Sequence, residues 1–107
     1  MIEISYNRKK HIVTVKGHAQ SGEKGRDLVC AAASMLVYTL ASDVEMLCAD
    51  HGRVRHPICE LDEGNALISC KPVHGFESVV TLIFDSICCG FELLQTQYPD
   101  NVRYTVN

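Results

Sequence analysis

Two residues have the type and setting for covalent chemistry, His18 and Cys30. They lie in the stretch GHAQSGEKGRDLVCAAAS, residues 17–34. Asp27 stands where a polar, glycine-containing loop gives way to an apolar run, which is where a helix N-cap belongs. Leu28 is then the first helical residue and Cys30 the third. A thiol in that turn faces N–H groups with no intrahelical acceptor and about half a positive charge. Both favour thiolate, and such settings bring a cysteine from ~8.5 into the range ~3.5–7.5. His18 closes the strand before the loop. If the loop folds back, its imidazole can serve Cys30 as general base and then as acid for the leaving group. The first-turn N–H groups could hold the oxyanion of an acyl intermediate. Two jobs are open to Asp27, capping the helix or orienting His18. Ser34, one turn beyond Cys30 on the same face, is within reach of the same site. The residues also read as plain structure: Leu28 to Ala33 is a good buried helix start, and cysteine often behaves as a small hydrophobe.

The elements that must position these residues follow from periodicity. Ile2, Ile4 and Tyr6 alternate with polar residues, as do Val13 and Val15, which gives two strands joined by the polar turn 7–10. The second strand ends at Gly17. The loop 17–26 carries Gly17, Gly22 and Gly25 and is long for a compact domain, so it reads either as a lid over the site or as an ordinary flexible connection, with Ala19 beside His18. From Leu28, apolar residues at 28, 32, 35, 36, 40, 44 and 47 predict a helix that ends near Asp50. Val54 and Ile58 suggest a third strand, with Pro57 restricting it to an edge. After the turn Asp62-Glu63-Gly64-Asn65, a fourth strand runs over 66–71. Phe76, Val80, Ile83, Phe84, Ile87, Phe91, Leu94 and Tyr98 form the apolar stripe of a second helix, which Pro99 ends. Val102, Tyr104 and Val106 make the last strand. The order β-β-α-β-β-α-β implies an α+β two-layer sandwich, a mostly antiparallel sheet with both helices on one face.

Size and charge narrow the function classes. A chain of 107 residues makes a single domain, expected over 1–107, with enough core to fold without disulfides or metal. Ten Lys and Arg against thirteen Asp and Glu give a net charge of −3, which argues against bulk attraction to nucleic acid or acidic lipid. The opening MIEISYNRKK has no apolar h-region, and the longest uncharged stretch, Leu28 to Ser42, is only fifteen residues. A cytoplasmic protein with no membrane partner is expected, and its six cysteines then read as thiols rather than a disulfide framework.

The segment resembles the ribosomal-processing cysteine protease family Prp. That family's pattern is Gly-His-Ala, a glycine-containing loop, then Gly-x-Asp-[Ile/Leu]-Val-Cys-Ala-Ala-x-Ser. The matching positions are Gly17, His18 and Ala19, then Gly25, Asp27, Leu28, Val29, Cys30, Ala31, Ala32 and Ser34. Ala33 stands where the family pattern has a larger aliphatic residue, and Gln20 to Lys24 are more polar than the family's aromatic-containing loop. The resemblance implies Cys30 as nucleophile, His18 as base, and a small α+β homodimer without cofactors. It further implies a ribosomal large-subunit protein precursor as substrate, namely protein twenty-seven, from which a short N-terminal extension is removed. No direct contact with nucleic acid is required.

Other classes compete. Cys48-Ala49-Asp50-His51 and His56-Pro57-Ile58-Cys59 place four zinc-type ligands, Cys48, His51, His56 and Cys59, within twelve residues. Arg53, Arg55 and His56, together with the turn Asn7 to His11, could form a basic patch for a non-enzymatic ribosome- or RNA-binding module. A thiol redox protein is disfavoured because no C-x-x-C occurs. His11 and His74 read as surface residues. Cys70, Cys88, Phe91 and Tyr98 read as core.

Overall fold

The computed structural model describes residues 1–18, 27–50 and 52–107. The elements run β1 (Ile2–Asn7), β2 (Ile12–Gly17), α1 (Leu28–Ala49), β3 (Val54–Asp62), β4 (Asn65–Pro72), α2 (Glu77–Gln97) and β5 (Val102–Val106). The five strands form one open sheet in the order β3-β4-β2-β1-β5. All pairings are antiparallel except β1 with β5. The predicted element order and mostly antiparallel sheet are those observed.

Register explains why one face is covered. Tyr6 lies opposite Val13, Val13 opposite Ile68, and Ile68 opposite Cys59. Ile2 and Ile4 continue that face beside Val102 and Tyr104. Because side chains alternate at period two, these residues share the side on which both helices pack, and Tyr6, Val13, Ile68 and Val102 are each almost fully buried. Glu3, Thr14 and Lys16 point the other way, and Glu3 pairs across the strands with Arg103 at 3.7 Å. Pro57 sits in a bulge of β3 between Arg55 and Ile58, where two residues oppose one on β4. β3 is an edge strand, so the missing proline N–H leaves no ladder bond unmade.

Four residues depart from the sequence reading. The buried face of α1 is Val29, Ala33, Val37, Leu40, Ala41, Val44 and Leu47, whereas Leu28 and Met35 face outward at 75% and 61% exposure. Steps of four from Leu40 back to 36, 32 and 28 advance 40° each on a helix of 3.6 residues per turn, so the assumed stripe drifts off the core face. His11 is buried rather than superficial. Its Nε2 lies 2.7 Å from Thr81 Oγ1, and its ring meets Phe84 edge-on. Tyr98 is half-exposed, because α2 ends at Gln97 and the chain turns away there. Cys70, Cys88 and Phe91 are in the core as expected. Both helices are long and apolar enough, by length and composition, to cross a membrane. Here they form one layer against the sheet, with part of each apolar surface left outward: Leu82 and Leu93 of α2 are 67% and 56% exposed.

Candidate active site

The start of α1, the end of β2 and the tip of the β3–β4 hairpin enclose a cleft of about 370 Å³. His18, Cys30 and Ser34 all line it, so the structure brings these three sequence-predicted residues together. Tyr38, on the next turn of α1, and Leu61 to Asn65, on the hairpin, complete the walls. Ala33 also lines the cleft and is buried on the core face of α1.

Asp27 sets the position of Cys30. Its backbone is extended (φ −77°, ψ 97°), and its Oδ1 accepts the Cys30 N–H at 3.0 Å. Its carbonyl accepts the Ala31 N–H at 3.0 Å, the first helical bond. Of the two jobs open to Asp27, capping is the one observed. The cap places Cys30 at the third helical position, half-buried at the cleft wall.

The backbone around Gly17 sets the position of His18. Gly17 has φ +99°, and a Cβ there would run into the Met1 carbonyl oxygen. Its N–H donates to the Gly64 carbonyl at 2.9 Å, and the Met1 ammonium donates to the His18 carbonyl. These contacts fix the end of β2 against both β1 and the hairpin tip, while the His18 side chain stays exposed. Gly64 also has a positive φ, +72°, and the His18 ring packs on it. A Cβ at position 64 would lie 2.8 Å from His18 Nε2. The sequence marks 62–65 as a turn but carries no sign that this turn abuts His18. Ala19, Gly22 and Gly25, and with them the expected lid, lie outside the described residues.

The other thiols differ from Cys30 in setting. Cys70 and Cys88 are buried in the core, and burial pushes their pKa values up to about 11 and about 12. Cys59 is raised by burial and by Glu45, and its Sγ donates weakly to the Ala41 carbonyl at 3.9 Å. Only Cys89, on the outer side of α2, is exposed. The zinc reading finds no support: His51 lies outside the described residues, His56 is in the β3 bulge with φ +51°, and among the described residues no three His, Cys, Asp or Glu side chains are placed to hold a metal. Two cations of the expected basic patch have local partners. Arg8 is bonded to Asp85, and Arg53 stacks over the Phe76 ring at 5.4 Å.

The sequence matches the family described as cysteine protease Prp over residues 1–103. The chain belongs to that family. The ribosomal processing cysteine protease Prp of Staphylococcus aureus is 23% identical over 104 residues, covering 95% of this chain and 93% of that protein. The structure of the Staphylococcus aureus protease with a covalently linked product peptide superposes with a TM-score of 0.74 at 25% identity, covering 99% of this chain and 97% of the other. A Streptococcus mutans structure superposes with a TM-score of 0.65 at 25% identity, covering 98% and 90%. The protein is therefore a cysteine protease of the Prp family with the family's sandwich fold. This excludes the zinc-domain and RNA-module readings as the primary assignment.

Proposed function

We propose that the protein removes the N-terminal extension of large-subunit ribosomal protein twenty-seven, with Cys30 as nucleophile and His18 as general base and acid. The observation that carries this reading is that both residues line one cleft, with Cys30 held in a capped first helical turn. The Cys30 thiolate attacks the scissile carbonyl carbon, and His18 holds the proton taken from the thiol. The resulting oxyanion needs N–H donors. The Cys30 N–H is engaged by Asp27, which leaves those of Leu28 and Val29, whose first-turn positions have no helical acceptor. When the C–N bond breaks, His18 gives its proton to the leaving amine. It then activates water to hydrolyse the thioester, which restores the thiol and releases the new carboxylate. Ser34 contributes a hydroxyl to the same wall, and Asp27 acts through the cap. Side chains and backbone suffice for every step, with no metal or organic cofactor.

The protein acts in the cytoplasm, where its substrate is made, and works as a homodimer. The outward apolar residues Val79, Leu82 and Leu93 of α2 and Met35 of α1 support pairing through the helix layer. Replacing Leu82 and Leu93 together by Lys gives a monomer in sedimentation if that layer is the interface. The substrate assignment is tested with the host's own ribosomal protein precursor and mass spectrometry. A single N-terminal cut is expected, and a precursor left intact by active enzyme contradicts it.

A further inference from the structure

We infer that Gly64, at the tip of the β3–β4 hairpin, is a positioning residue for the general base, and that its missing side chain is the seat of the His18 imidazole. The inference rests on the reading of His18 as base.

The space is specific. A Cβ at position 64 would stand 2.8 Å from His18 Nε2 and 3.3 Å from Cε1, closer than carbon approaches an imidazole without displacement. The three nearest atoms to that point all belong to the His18 ring, so a side chain at 64 would meet the imidazole first. The same residue also holds the strand that carries the histidine, through the Gly17 N–H to Gly64 carbonyl bond of 2.9 Å. Backbone and absent side chain thus act on one target: the carbonyl fixes where β2 ends, and the missing Cβ fixes where the ring can lie.

A Cβ at 64 has a different cost from one in the core. His18 is exposed at the end of its strand, so its ring can swing away with little loss of packing. The fold survives while the base leaves its seat. Gly64 has φ +72°, where Asn is tolerated better than other residues with a Cβ. Gly64→Asn therefore adds the Cβ with the least backbone strain, and a displacement near 1 Å at a catalytic group lowers turnover by about a hundredfold.

The experiment measures kcat/KM on a peptide substrate, and the pH dependence of Cys30 alkylation by iodoacetamide, for wild type, Gly64→Asn, His18→Ala and the double variant. Alkylation needs no turnover. We expect Gly64→Asn to lower kcat/KM by about a hundredfold, to shift the alkylation profile to that of His18→Ala, and to add nothing further in the His18→Ala background. A merely structural glycine would lower stability without moving that profile. Wild-type turnover, or an unchanged alkylation profile, in a folded Gly64→Asn protein overturns the inference while His18 still shapes the wild-type profile. If His18→Ala itself leaves the profile unchanged, the base assignment fails instead. Should Gly64→Asn not fold, NMR of the wild type decides it: contacts between the Gly64 α-protons and the His18 ring protons are expected, and their absence overturns the inference.

Discussion

His11 and His18 flank the same strand, one just before Ile12 and one just after Gly17, yet their surroundings are opposite in kind. His11 is 6% exposed, adopts φ +55°, bonds Thr81 and packs on Phe84. Burial, with Arg8 adding to it, lowers its pKa and favours the neutral ring. Nearby, Asp85 accepts the Tyr6 hydroxyl at 2.9 Å and is bonded by Arg8 Nη2 at 3.0 Å. At that end of the sheet, polar groups satisfy one another. At the other end, His18 is exposed on a cleft shared with a half-buried thiol. The cysteines divide the same way, with Cys88 sealed in the core and Cys30 at a capped helix start. Residue type alone does not make a catalytic group. Access, and a neighbour with complementary chemistry, do.

The sharpest way to break this contrast is to exchange expectations between the two ends. Cys30→Ala lowers kcat/KM by about 10⁴-fold or more, and His18→Ala by about 10²–10⁴-fold. His11→Asn, in which Asn tolerates the left-handed backbone, stays within about twofold of wild type. Loss of activity in His11→Asn equal to that in His18→Ala would dissolve the distinction. Asp85→Ala acts on stability instead. It strands the buried Tyr6 hydroxyl, which costs about 1–2 kcal/mol in urea unfolding. The half-exposed Arg8 pair adds little to that figure. Asp27→Ala bridges the two regions in kind, since loss of the cap costs about 1 kcal/mol and also loosens the turn that holds Cys30, so kcat falls with it. The smallest effect is a slope. The folded state holds His11 neutral with a lowered pKa, so its stability contribution is complete above the ordinary histidine value and declines as pH falls below about 6.5. Thermal unfolding between pH 7 and pH 5 should show that decline in wild type and a flatter dependence in His11→Asn.

Much of this architecture was legible in the sequence because its signals are local. Strand alternation, the Pro57 restriction, the 62–65 turn and the Asp27 cap each depend on a few neighbouring residues, and all four are observed. The placement of Cys30 and His18 on one cleft was also within reach, since a loop joining strand to helix has few ways to run. Non-local facts were not. The phase of α1 was misread because steps of four accumulate error along a helix. His11 followed a polar turn and gave no sign that Thr81 and Phe84 would enclose it. Gly64 read only as a turn glycine, because its neighbour His18 comes from a strand that is not adjacent in sequence.

The central claim is that the reactive thiol is Cys30 and that His18 makes it so. Brief exposure of the native protein to iodoacetamide at pH 6, followed by peptide mass mapping, tests this with Cys89 as an internal exposed thiol. Cys30 should be labelled first in wild type, should fall to the Cys89 rate in His18→Ala, and Cys70 and Cys88 should remain unlabelled in both. Labelling of Cys30 no faster than Cys89 in the wild-type protein would contradict the claim.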